Sequence, residues 1–147
     1  MRPNTAFGTF ETDNSLAGAV NSAVSNCDAE IGAKQLIIRR DVSLSALRVD
    51  CSAHTSVLID RMLLRAVSNA PCGSEIEICV IATAHGWEVE VADEGSDADC
   101  CAAFQTSLDG AQHLGSTSPE IQCLRCPQGG VSWKLIIPTR QRSVLVA

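Results

Sequence analysis

The sequence predicts an α/β two-layer sandwich, with helices packed on one face of a mixed, mostly antiparallel sheet. Three observations carry this reading. Residues 14–31 and 54–70 repeat apolar residues at helical spacing. EIEICVIAT and WEVEVA then alternate apolar and polar residues, as strands with one buried face do. The order helix, strands, helix, hairpin, variable segment, strand gathers the helices on one side of the sheet. A chain of 147 residues suits a single domain, and 46% hydrophobic residues are enough for its core.

Residues 1–12 read as an irregular N-terminal segment, 13–139 as the domain and 140–147 as a tail. The first helix is expected from Asn14 to Ile31, capped by Asp13 or Asn14 and ended by Gly32. Leu16, Val20, Ala23, Val24, Cys27 and Ile31 form its apolar stripe. A strand follows at Gln35–Arg39 and a shorter one at Ala46–Asp50, joined by the polar turn Asp41–Ser45. The second helix spans His54 to Ala70, with Leu58, Ile59, Met62, Leu63, Ala66 and Ala70 inward, and Pro71-Cys72-Gly73-Ser74 breaks it. Ala84-His85-Gly86 joins the two alternating strands as a hairpin. Residues 96–128 are polar, cysteine-rich and without a clear period. Short helices are expected there near Ala98–Thr106 and Pro119–Arg125. Val131–Ile137 is the final strand, ending at Pro138.

Charge and composition narrow the function. A net charge of −6, with only the sparse pairs Arg39, Arg40 and Arg140, Arg142, argues against a nucleic-acid binder. Aromatic residues at 3% argue against base-stacking platforms. No apolar run is long enough to cross a bilayer, and MRPNTAFGTFETDN lacks the apolar core of a signal peptide. The expected location is therefore cytoplasmic, where the eight cysteines read as reduced thiols.

Two positions carry chemistry. Asn69 lies seven residues after Met62 and eleven after Leu58, offsets that return it to the apolar stripe facing the sheet. A buried amide left unpaired costs about 1–3 kcal/mol, so it needs a partner. A hydrated Mg²⁺, which favours oxygen ligands, is one. On spacing alone, the tolerance of Asn for helix ends explains it better. Asp93 follows a buried strand and precedes Glu94-Gly95. Its carboxylate can accept from the exocyclic amine of adenine, and Gly95 would permit a sharp turn or a close ligand approach. An ordinary Asp-x-Gly turn is the alternative. Cys123-Leu124-Arg125-Cys126, with Cys100, Cys101 and His113, is a candidate zinc site, although adjacent Cys100-Cys101 is a poor second pair.

Taken with the order of elements, these residues resemble the histidine-kinase-like ATPase (GHKL) domain, of the sensor-kinase catalytic type, over roughly residues 10–138. DNSLAGAVNSAVSNCDAEIGAKQLIIRR is similar to its first helix and strand, and HTSVLIDRMLLRAVSNA to its Asn-bearing helix. WEVEVADEG is similar to its strand and first glycine box, and QGGVSWKLIIP to its closing strand. The resemblance implies ATP with Mg²⁺, held by Asn69 on the metal and by Asp93 on adenine, with Gly95 as a backbone contact. It also implies a protein partner in a signalling pathway of the two-component kind.

Several family features are replaced here. The second Asn, one turn earlier, is Arg65, and the second glycine of the first box is Asp97. The Gly-x-Gly-x-Gly run that cradles phosphate has no counterpart between Ser96 and Gln128, so 96–128 reads as a degenerate ATP lid. Two charge-assisted hydrogen bonds at about 1.5–3 kcal/mol each do not hold a nucleotide tightly. Millimolar affinity needs only about −4 kcal/mol. No catalytic residue is assigned. His54, His85 and His113 read as surface residues rather than phosphoacceptors. The expectation is a pseudokinase-like, protein-binding domain with weak or no ATP binding. The alternatives are a free-standing kinase of the anti-sigma-factor type, which Arg65 opposes by standing where those kinases carry an acid, and a cysteine-rich zinc module.

Overall fold

The computed structural model describes residues 14–95, 119–126 and 129–138. In chain order these form α1 (Leu16–Asn26), α2 (Asp28–Lys34), β1 (Ile37–Val42), a 3₁₀ turn (Leu44–Arg48), α3 (Ala53–Asn69), β2 (Glu75–Thr83), β3 (Gly86–Asp93), β4 (Glu120–Arg125) and β5 (Val131–Pro138). The strands lie in the order β1-β2-β3-β5-β4. β1 runs parallel to β2 and every other pairing is antiparallel. The α/β class, the mixed and mostly antiparallel sheet and the helices on its inner face are as the sequence predicts.

Alternation builds the core. Ile76, Ile78 and Val80 of β2, Val89 and Val91 of β3, and Trp133 and Leu135 of β5 all point to one side and are buried. Leu58, Ile59, Met62, Leu63, Ala66 and Val67 of α3 close over them, and α1 packs beside α3 with Leu16, Val20, Ala23 and Val24 inward.

Six local expectations are corrected. The first helix breaks at Cys27 into α1 and α2, and its cap is Ser15, whose Oγ accepts from the Gly18 amide at 2.9 Å. Gly32 lies within α2, and the helix ends instead at Gln35 in the left-handed conformation (φ 55°). The strand placed at Gln35–Arg39 begins two residues later and runs through Asp41 and Val42, along β2.

The strand expected at Ala46–Asp50 is a 3₁₀ turn. The Ser43 amide still bonds Val80 at 3.1 Å, after which the chain leaves the sheet for the helix layer. There the Leu16 amide donates to Val49 and the Cys51 amide to Asn14. Only Ala46 of the turn is buried, so the segment is a crossover whose period resembles that of a short strand. The helix expected near Pro119–Arg125 is the edge strand β4. The free edge of β5 offers it six register pairs, from Glu120 opposite Ile136 to Arg125 opposite Val131, and Ile121 turns inward. The segment expected near Ala98–Thr106 lies outside the described residues.

The end of α3 has a cap with no local sequence signature. Lys34 Nζ donates to the carbonyls of Val67, Ser68 and Ala70 at 2.8, 2.8 and 3.0 Å. A cation there satisfies orphan carbonyls and opposes the negative pole of the helix. It fixes the helix end that carries Asn69.

Candidate functional site

Two elements deliver the site. α3 ends at Asn69 because Pro71 cannot continue it. β3 ends at Asp93, on the same face as Val89 and Val91, which is the face α3 covers. Asn69 and Asp93, 24 residues apart in sequence, meet there. Asn69 Nδ2 donates to Asp93 Oδ1 at 3.3 Å. The Gly95 amide donates to the same oxygen at 2.7 Å, closing the Asp-x-Gly turn.

A third donor arrives from β5. Val91 stands opposite Trp133, and Asp93 opposite Val131. Trp133 is therefore a diagonal neighbour of Asp93 on the covered face, within reach of an aromatic side chain. Its indole Nε1 donates to Asp93 Oδ2 at 3.4 Å. Asp93 is 5% exposed and Trp133 is fully buried. Both carboxylate oxygens thus accept hydrogen bonds from within the protein.

The electrostatics follow from that burial. Desolvation pushes the Asp93 carboxyl above its ordinary value of 3.8, and the hydrogen bonds from Gly95, Trp133 and Asn69 pull it back in part. The turn is sterically tight. A Cβ on Gly95 would stand 2.6 Å from Asn69 Cγ and 2.7 Å from its carbonyl oxygen, so only glycine lets the turn lie against the end of α3. Gly130, at φ +96°, presses on the backbone of Asp93 from the other side. A Cβ there would meet the Asp93 carbonyl oxygen and approach Glu94 Cα at 3.3 Å. Beside the turn lies a cleft of about 310 Å³ lined by Glu75, Glu77, Ala92, Asp93, Glu94, Cys126 and Gly129.

The cysteines divide. Cys27, Cys51, Cys72, Cys79 and Cys126 are free. Cys123 is disulfide-bonded, which corrects the expectation of reduced thiols throughout and removes that thiolate from the zinc site as drawn. Cys100, Cys101 and His113 lie outside the described residues. Among the described residues, no group of three or more His, Cys, Asp or Glu side chains is placed to hold a metal.

Sequence reasoning singled out Asn69, Asp93 and Gly95, and the structure brings all three together. It missed Trp133 and Lys34. Alternation already puts Trp133 on a covered face, but its pairing with β3 depends on a register no local pattern supplies.

No protein-family model matches the sequence, and no curated protein is similar enough to count as a relative. Solved structures do match the fold. The nucleotide-free catalytic domain of histidine kinase ThkA superimposes with a TM-score of 0.66 at 12% identity, covering 84% of this chain and 93% of that one. The Acinetobacter baumannii histidine kinase AdeS gives 0.63 at 12% identity, over 86% of this chain and 66% of that one. The mycobacterial sensor histidine kinase MprB gives 0.60 at 8% identity, over 84% and 94%. The chain has the fold of histidine-kinase catalytic domains, the α/β sandwich of the histidine-kinase-like ATPases.

Proposed function

We propose that this chain is a degenerate histidine-kinase-like ATPase domain of bacterial signal transduction, one that works by binding a protein partner and binds ATP weakly or not at all. One observation carries the reading. The carboxylate at the position that resembles the family's adenine contact is buried, and both its oxygens already accept from Gly95, Asn69 and Trp133. An incoming adenine amine meets a carboxylate whose charge three internal donors already share, so its hydrogen bond adds less free energy than a first one would.

If nucleotide binds, Asp93 and Gly95 hold the adenine, and Asn69 offers its Oδ1 to Mg²⁺ while Nδ2 stays on Asp93. One protein oxygen suits Mg²⁺ only where phosphates and water complete its shell. That is a thin anchor without a phosphate cradle. A protein partner is in keeping with a similar structure, histidine kinase ThkA in complex with the response regulator TrrA. This chain spans 40% of that chain, at 16% identity and a TM-score of 0.61. Among the described residues, no helix is long and apolar enough to cross a membrane.

Titration of the protein with ATP and Mg²⁺, read by calorimetry and thermal shift, tests the proposal. The expected result is no response, or a dissociation constant in the millimolar range. Micromolar, saturable binding that Asp93→Asn abolishes overturns it. Radiolabelled ATP offered with candidate partner proteins tests the kinase alternative, and Arg65 leads us to expect no transfer.

A further inference from the structure

We propose that Trp133 determines what Asp93 accepts: its indole is a built-in ligand that keeps the site shut to planar N–H heterocycles. The inference rests on the reading of Asp93 as the ligand-facing carboxylate. Three observations carry it. The indole N–H points at Asp93 Oδ2, as a ligand N–H would. The ring is fully buried and ranks among the largest buried side chains, so it fills space as well as a hydrogen bond. And its bond, at 3.4 Å, lies beyond the usual range for N–H···O, as does that of Asn69 at 3.3 Å. Among the described residues, only the Gly95 amide, at 2.7 Å, is a short donor to Asp93. A buried carboxylate held mainly by one short bond retains capacity for a better-placed donor.

The register explains why one side chain performs both tasks. Trp133 lies on β5 between Val91 of β3 and Cys123 of β4, in the middle of the sheet beneath α3. Its ring can leave only by unpacking that helix. Truncation to alanine opens an apolar cavity with a carboxylate in its wall. Dry apolar cavities of about 150 Å³ take up benzene-sized molecules. Here the carboxylate adds a preference for a ring that carries N–H.

The test compares indole with benzofuran, which has the same shape and no N–H. The full chain carrying Trp133→Ala is titrated with each and followed by thermal shift and by NMR. Indole is expected to bind the variant saturably, at least tenfold tighter than benzofuran, and to leave the unmodified protein unshifted. Equal binding of the two overturns the proposal, because the cavity then ignores Asp93. Binding of neither to a folded variant overturns it as well. If Trp133→Ala does not fold, Trp133→Val keeps a β-branched residue in the strand and opens a smaller cavity. It is titrated with pyrrole and furan in the same way, and equal binding of the two, or binding of neither, overturns the proposal. These readouts use variants and small heterocycles, whereas the proposed function is judged on the unmodified chain with ATP, so either can fail alone.

Discussion

Adding one methyl group at Gly95 tests the architecture of the site. In Gly95→Ala the new Cβ would lie 2.6 Å from Asn69 Cγ and 2.7 Å from the Asn69 carbonyl oxygen. Rotating the Asn69 side chain relieves the first contact and not the second, since the carbonyl belongs to the last turn of α3. That turn is itself held by Lys34. The strand end and the helix end must therefore part by several tenths of an ångström. This lengthens the Asn69–Asp93 bond, already 3.3 Å. Overpacking of this kind costs about 1–3 kcal/mol. For a chain of this size each kcal/mol lowers Tm by about 3–4 °C. The expected loss is about 3–12 °C in thermal unfolding followed by circular dichroism. A double-mutant cycle with Asn69→Ala isolates the side-chain part. That substitution recovers some but not all of the loss, because the carbonyl remains. An unchanged Tm for Gly95→Ala refutes the claim that the turn seats against the helix.

Three further outcomes follow from the same geometry. Lys34→Met keeps the aliphatic stem and abandons three carbonyls, so stability falls by about 1–2 kcal/mol, checked by urea unfolding; a loss below measurement error rules out the cap. Gly130→Ala and Gly73→Ala both place an L side chain at positive φ, +96° and +76°, but only at Gly130 does the new Cβ strike backbone. Left-handed strain alone costs about 1–2 kcal/mol, so the Gly130 variant is expected to be the less stable of the two. Equal Tm values contradict that. Burial raises the Asp93 carboxyl above 3.8 in the folded protein, so the native state holds that proton more tightly than the unfolded chain does. The stability this group contributes is complete below 3.8 and is lost as pH rises through the folded value. A ¹³C titration of the Asp93 carboxyl should show a midpoint above 3.8, and one below it refutes the assignment.

Local pattern made much of the molecule legible. Pro71 and the stripe from Leu58 to Ala66 bound α3. The alternation of Ile76, Ile78 and Val80 against Glu75, Glu77 and Cys79 marked β2 and its buried face. Residues 46–50 and 120–125 misled because five or six residues carry too little periodic information. Whether they become strands depends on a free sheet edge. β5 offers one to Ile121 and its neighbours, while the chain after Val42 is drawn off to meet α1.

The candidate site divides in the same way. Its polar members were visible because an amide on an apolar stripe and an acid at a strand end each break a pattern. What only the tertiary structure decided is how the carboxylate is satisfied. Trp133 reaches Asp93 through the register of β5 on β3, and Lys34 reaches the end of α3 across 33 to 36 residues of chain. Hydrophobic period fixes which face a side chain takes, since it is a property of consecutive residues. Which buried donor meets which buried acceptor is a property of strands and helices brought together, and no single segment encodes it.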